Sequence, residues 1–208
     1  MLFVQAEIAD RLLDMLVGAM AELRIGDPLD YATDIGPVID EAARDALETH
    51  KARMRHDGRV LAELPLGDAL RRGVYVAPAA FEIDRIGRLE REVFGPVLHV
   101  VRFAGDRLDA VCDAINDTGY GLTLGIHTRI QATADAVASR VRVGNVYINS
   151  NQIGAVVGVQ PFGGEGLSGT GPKAGGPFYL HAFAVERVRS TDITAAGGNA
   201  RLLSLDPG

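Results

Sequence analysis

The sequence is poor in cysteine, in basic charge and in long apolar runs. A single cysteine, Cys112, excludes an internal disulfide framework and makes a reducing compartment, the cytoplasm, the simplest home. Lys and Arg number 21 against 27 Asp and Glu, a net charge of −6. That balance disfavours nucleic acid, whose non-specific affinity for proteins comes from cations neutralising phosphates. No apolar stretch reaches the roughly 18 residues of a membrane span, and the start, MLFVQAEIADRLL, lacks the basic and apolar regions of a secretion signal. No membrane span is therefore expected. His50, His56, His99, His127 and His181 show no metal-ligand spacing with one another or with Cys112, so no metal is expected either.

What remains is an ordinary globular composition, 47% hydrophobic and 23% charged over 208 residues. A chain of this length can hide roughly 70% of the surface it exposes unfolded. After a strand-like Leu2-Phe3-Val4, the residues Ile8, Leu12, Leu13, Leu16, Met20 and Leu23 recur at helical spacing until Gly26-Asp27-Pro28 stops the pattern. An opening inside a core strand is what a fragment of a longer domain would show. A second helix is expected from Asp40, its cap, to about Arg55, with Leu47 and Met54 on one face. RVLAEL, GVYVAPAAFEI and VLHVVRF read as strands, the last apolar enough to be buried on both faces. A helix opened by Asp106 or Asp109 follows, then a strand in GYGLTLGIHT, a helix in QATADAVASRV and a strand in GNVYINS. The alternation implies an α/β fold with a largely parallel open sheet flanked by helices. A late strand is expected in FAVERVRST, before a small-residue tail.

Seven of the 25 glycines crowd into QPFGGEGLSGTGPKAGG, which spells G-x-G-x-x-G from Gly164 to Gly169. A dinucleotide fingerprint needs a strand directly before the first glycine and a helix opening at the last. Here Pro161-Phe162 precedes, and Pro172, Gly175, Gly176 and Pro177 fall where the helix should run. A P-loop fails as well, because Gly171 is followed by Pro172 and not by Lys-Ser/Thr. The preferred reading is a tightly turned loop whose glycines permit positive φ and close backbone approach. A free-standing nucleotide-binding protein is the weaker alternative. Ser168 reads as a local cap, and Lys173, Arg187 and Arg189 as surface charges.

REVFGPV, residues 91–97, puts Glu92 and Phe94 two residues apart, on one side of an extended chain, before a Gly-Pro turn into a buried strand. Taken alone, Glu92 reads as a solvated or capping carboxylate and Phe94 as a core ring. The pair also suits a sugar hydroxyl and a flat ring. EVFGP followed by GNVYINSNQIGAVVGVQPFGGEGLSGTGPKAGGP resembles the C-terminal part of an aldehyde dehydrogenase. The second stretch is similar to the L-glutamate γ-semialdehyde (Δ1-pyrroline-5-carboxylate) dehydrogenases. The ending TAAGGNARLLSL resembles the dehydrogenase module of bifunctional proline utilization A.

The resemblance implies NAD as cofactor, with Glu92 on the nicotinamide-side ribose and Phe94 near the nicotinamide. It implies that Gly154 and Ala155 receive the substrate's α-carboxylate through their N–H groups and that Phe162 lines the aldehyde channel. An amide pair free of bulky side chains suits such a carboxylate. The family's chemistry is thiolate attack on an aldehyde, hydride transfer to NAD and hydrolysis of the thioester. It needs a Cys in a G-Q-x-C context, an oxyanion-stabilising Asn and a general-base Glu, none of which this sequence supplies. Cys112, inside DAVCDAI, reads as an inert helix-interior thiol. The nucleophile is expected a few residues before Met1, so an upstream part of the dehydrogenase is the implied partner and the chain alone is expected to be inactive. Residues 1–180 would then be a partial catalytic domain and 181–208 an oligomerisation or flap strand and tail of a homo-oligomer. FAD is expected only in a proline dehydrogenase domain outside this chain. A non-catalytic assembly module of the same fold is the alternative.

Overall fold

The computed structural model describes residues 1–153 and 155–192; Gly154 and the ending TAAGGNARLLSL lie outside the described residues. A short strand, β1 (Leu2–Gln5), runs directly into α1 (Ala6–Ala21). The next helix, α2 (Glu41–Asp57), opens as expected at Asp40, whose carboxylate accepts the Ala43 N–H at 2.7 Å. Three strands follow: β2 (Arg59–Glu63), β3 (Ala79–Glu82) and β4 (Val97–Phe103). The expected strand GVYVAPAAFEI pairs only over its last part, because Pro78 has no N–H to give to a ladder.

These strands form one open sheet in the order β1-β4-β3-β2, parallel except for the antiparallel edge strand β2. The alternation along β4 divides two cores. Leu98 and Val100 pack with Val4, Ala9 and Leu13 beneath α1. Val97 and Val101 face the other way, against Met54 of α2 and against Phe81 and Ile83. Helices therefore cover both faces, which is why VLHVVRF is almost continuously apolar.

The second half is smaller: α3 (Leu108–Asn116), β5 (Tyr120–Gly121), β6 (Thr123–Ile126), α4 (Gln131–Arg140), β7 (Asn145–Ile148) and β8 (Glu165–Gly166). Parallel β6 and β7 pack on α3 and α4 around Cys112, Ile126, Ala134, Val137 and Val141. The antiparallel pair β5 and β8 links this half to the glycine loop. The fold is α/β with an open, mainly parallel sheet, and among the described residues the strands fall into three sheets. The late strand expected in FAVERVRST does not form. Leu180–Phe183 is a 3-10 turn, and the described residues after it join no strand. Val185 and Val188 are 93% and 84% exposed, so this segment finds no apolar face among the described residues to bury against.

A buried histidine pair, unforeseen from spacing, joins α2 to β4: His50 Nε2 and His99 Nε2 lie 2.8 Å apart. One ring donates and the other accepts, so the acceptor must be neutral. Burial pushes His99 from the usual 6.5 down to about 4, reinforced by the facing His50, the Met1 amino group and Arg53. Burial and Arg53 lower His50 as well. The unfolded rings take up protons as pH falls through 6.5 while the folded pair resists, so proton uptake favours unfolding. Stability is expected to hold above pH 6.5 and to fall steadily toward about pH 4. The carboxylates held down by arginine, such as Asp84 beside Arg88, act at lower pH. Thermal unfolding from pH 7.5 to 5 checks this, and His50→Gln/His99→Gln should flatten the slope; no slope in the native chain would refute it.

Candidate functional site

The first candidate segment leads into β4. Glu92 and Phe94 are exposed, with the half-buried Val93 between them turned the other way, as an extended chain requires. Phe94 is 87% exposed. Among the described residues the Glu92 carboxylate has no hydrogen-bond or ion-pair partner. The sequence therefore places both side chains on one side of the strand entrance, and the tertiary structure leaves both uncovered. Phe94 is not a core ring. The backbone beneath them is held firmly: a Cβ on Gly95 would lie 2.4 Å from Leu47 of α2, and Pro96 O accepts the Ala79 N–H at 3.0 Å. Gly95 is thus required by close approach to a helix, not by an unusual φ.

The second segment runs from β7 through the glycine loop. Asn151 caps a turn by accepting the Ile153 N–H at 2.8 Å, and Gln160 Oε1 reaches back to the Val156 N–H at 2.9 Å. Ala155 lies half-buried between these two ties, and among the described residues no hydrogen bond uses its N–H. Gly154 lies outside the described residues. Phe162, half-buried, exchanges both backbone hydrogen bonds with Ala174, at 3.0 and 2.9 Å. Among the described residues no hydrogen bond, ion pair or ring contact joins Glu92 or Phe94 to Ala155 or Phe162. The two segments are presented by separate sheets.

Two sequence expectations need correction. Lys173 is not a surface charge: its Nζ donates to the carbonyls of Gly144 and, at 2.8 Å, Gly163. A lone cation in a glycine-rich stretch otherwise almost free of charge was the available signal. Ser168 does more than cap its own loop, since its Oγ accepts the Gly121 N–H at 3.1 Å and ties the loop to β5. The G-x-G-x-x-G stretch is backbone packing. Within it Glu165 and Gly166 pair with β5, a Cβ on Gly164 would strike Ser168, and no helix opens at Gly169. Cys112 is buried and desolvation raises its thiol pKa, a setting that disfavours the thiolate. No group of three or more His, Cys, Asp or Glu able to hold a metal occurs among the described residues.

The aldehyde dehydrogenase family model matches residues 1–188, and the chain belongs to that family. The bifunctional protein PutA of Escherichia coli (strain K12) is 52% identical over 199 residues, covering 91% of this chain and 15% of that protein. The 1-pyrroline-5-carboxylate dehydrogenase of Bacillus subtilis (strain 168) is 35% identical over 179 residues, 85% of this chain and 34% of that protein. The chain thus spans only a minor part of either relative. A crystal structure of a Bradyrhizobium japonicum proline utilization A variant superimposes with a TM-score of 0.85 at 55% identity, over 89% of this chain and 19% of the other. A Thermus 1-pyrroline-5-carboxylate dehydrogenase with bound NAD gives 0.77 at 30% identity, over 87% and 34%.

Because Gly95 has no room for a side chain, Gly95→Ala is expected to cost about 1–3 kcal/mol through overpacking against Leu47. Combined with Leu47→Ala, the two losses should fall short of additive by roughly 0.5–3 kcal/mol in urea unfolding. Additive losses would mean that Gly95 and Leu47 do not constrain each other.

Proposed function

We propose that this chain is the cofactor-facing and aldehyde-facing segment of an NAD-dependent L-glutamate γ-semialdehyde dehydrogenase that works in proline catabolism in the cytoplasm. The observation that carries the reading is the Glu92–Phe94 pair: an unpartnered carboxylate and an 87% exposed ring on one side of a backbone locked against α2. An exposed phenyl group on a rigid entrance suits a flat ligand ring, and a free carboxylate beside it suits ribose hydroxyls. These residues fit the nicotinamide end of NAD, which supplies a hydride acceptor when bound. The names of the relatives support the substrate.

The chain's own contribution is positional. Glu92 would accept hydrogen bonds from the nicotinamide-side ribose, and Phe94 would pack near the nicotinamide. The N–H groups of Gly154 and Ala155 receive the substrate carboxylate, and Phe162 forms an apolar wall along its methylene chain. The nucleophile, oxyanion donor and general base come from the part of the dehydrogenase that precedes this chain, so the isolated chain turns over no aldehyde. Residues 181–208 pair with a second copy in a homo-oligomer. Any FAD belongs to a separate proline dehydrogenase domain. An assembly module has no need of an uncovered carboxylate and ring at one entrance, which favours the enzyme reading.

In a catalytically competent dehydrogenase containing this chain, Glu92→Ala is expected to raise KM for NAD about tenfold to a hundredfold, the worth of a charge-assisted hydrogen bond. Its urea midpoint should not move, because the side chain is exposed. A marked drop in the midpoint would make Glu92 structural. Ala155→Leu should raise KM for the aldehyde and leave that for NAD alone; normal aldehyde kinetics would remove Ala155 from the carboxylate receptor.

A further inference from the structure

The backbone polar groups of Pro161, Phe162 and Gly163 all have partners, and two side chains outside the loop's apolar pattern supply three of them. The Asn145 side chain acts as a fork, its Nδ2 donating to Pro161 O at 2.9 Å and its Oδ1 accepting the Gly163 N–H at 3.3 Å. Lys173 Nζ then donates to Gly163 O at 2.8 Å and to Gly144 O. Ala174, next to Lys173, holds both the N–H and the C=O of Phe162 itself. The fork is in turn fixed to the sheet, because the N–H groups of Gly144 and Asn145 donate to Gly121 O at 3.0 Å and Leu122 O at 3.1 Å. Glycine makes this convergence possible: a Cβ on Gly144 would collide with Gly163 O and lie 2.8 Å from Lys173 Nζ.

Lys173 is an unusual choice for a tie of this kind. Among the described residues no carboxylate pairs with it, and its ammonium donates to two carbonyls, those of Gly144 and Gly163. A solvated surface lysine would gain nothing from that geometry. An ammonium shared between Gly144 and Gly163 sets the distance between the start of β7 and the residue after Phe162.

We propose that Asn145 and Lys173 are positioning residues that fix Phe162 as a rigid wall, and that through it they set how sharply the site discriminates between aldehydes of different chain length. The inference rests on the aldehyde-facing role of Phe162 given above. A wall held at both of its flanking peptides rejects a longer or branched aldehyde by steric clash, whereas a wall free to swing accommodates it.

The clamp is tested first in the chain itself by native-state hydrogen exchange. In Lys173→Met the amides of Phe162, Gly163 and Ala174 should exchange about tenfold or more faster, the amides of β4 should keep their rates, and Lys173→Arg should restore most of the protection. Unchanged exchange at these three amides overturns the proposal. If Lys173→Met does not fold, Asn145→Ser, which removes the fork, decides by the same readout.

The consequence is tested in a competent dehydrogenase containing this chain, by the ratio of kcat/KM for the semialdehyde and for an aldehyde one methylene longer. Lys173→Met and Asn145→Ser should shrink that ratio severalfold with KM for NAD unchanged, and Lys173→Arg should recover it. A ratio changed by Phe162→Ala but not by either clamp variant overturns the positioning role. A ratio that even Phe162→Ala leaves unchanged refutes the aldehyde wall and takes this proposal with it, whereas the exchange result would still stand as a property of the loop.

Discussion

A strand that must be covered on both faces and paired along both edges constrains all its neighbours, and β4 is such a strand. Val100 packs toward α1 while Val101 packs toward α2, so neither helix can shift without opening a core. Its edges are taken by β1 and β3, both parallel to it. The hydrogen-bonded His50–His99 pair adds a polar tie on the α2 face. The cost of that tie is a pair of rings that resist protonation, which builds acid sensitivity into the centre of the fold.

The rigidity of β4 is passed to the residues that precede it. Gly95 sits against Leu47 with no room for a methyl group, and Pro96 pairs with Ala79. The two residues offered to solvent, Glu92 and Phe94, therefore lie directly before a backbone packed against α2 and bonded to β3. An exposed ring on a fixed backbone is ready to receive a partner with little ordering cost.

The glycine loop follows a different logic, in which backbone groups meet backbone groups and side chains are excluded. Gly144, Gly163 and Gly164 stand where carbonyls or neighbouring chain come too close for a Cβ. Such crowding of carbonyls calls for donors, and Lys173 and Asn145 supply them. The loop that spells a nucleotide motif is thus closed on itself and on β5 through backbone pairing. Within the motif the N–H groups of Leu167, Ser168 and Gly169 are already engaged with the carbonyls of Gly119, Glu165 and Gly166.

The elements were legible in the sequence wherever periodicity and caps act locally. The Leu12–Leu13–Leu16 stripe marked α1, Asp40 marked the start of α2, and the unbroken apolar run VLHVVRF marked a strand covered twice. The E-x-F-G-P pattern and the long glycine-rich stretch pointed to the family that the whole-chain comparison shows. What only the tertiary structure decided depends on residues far apart in the chain meeting in space. The pairing of His50 with His99, the capture of the Gly144 and Gly163 carbonyls by Lys173, and the failure of FAVERVRST to find a strand partner all belong to this class. Local propensity is carried by each residue with its neighbours and can be read in order, whereas burial and hydrogen-bond satisfaction are fixed only when distant segments compete for the same surface.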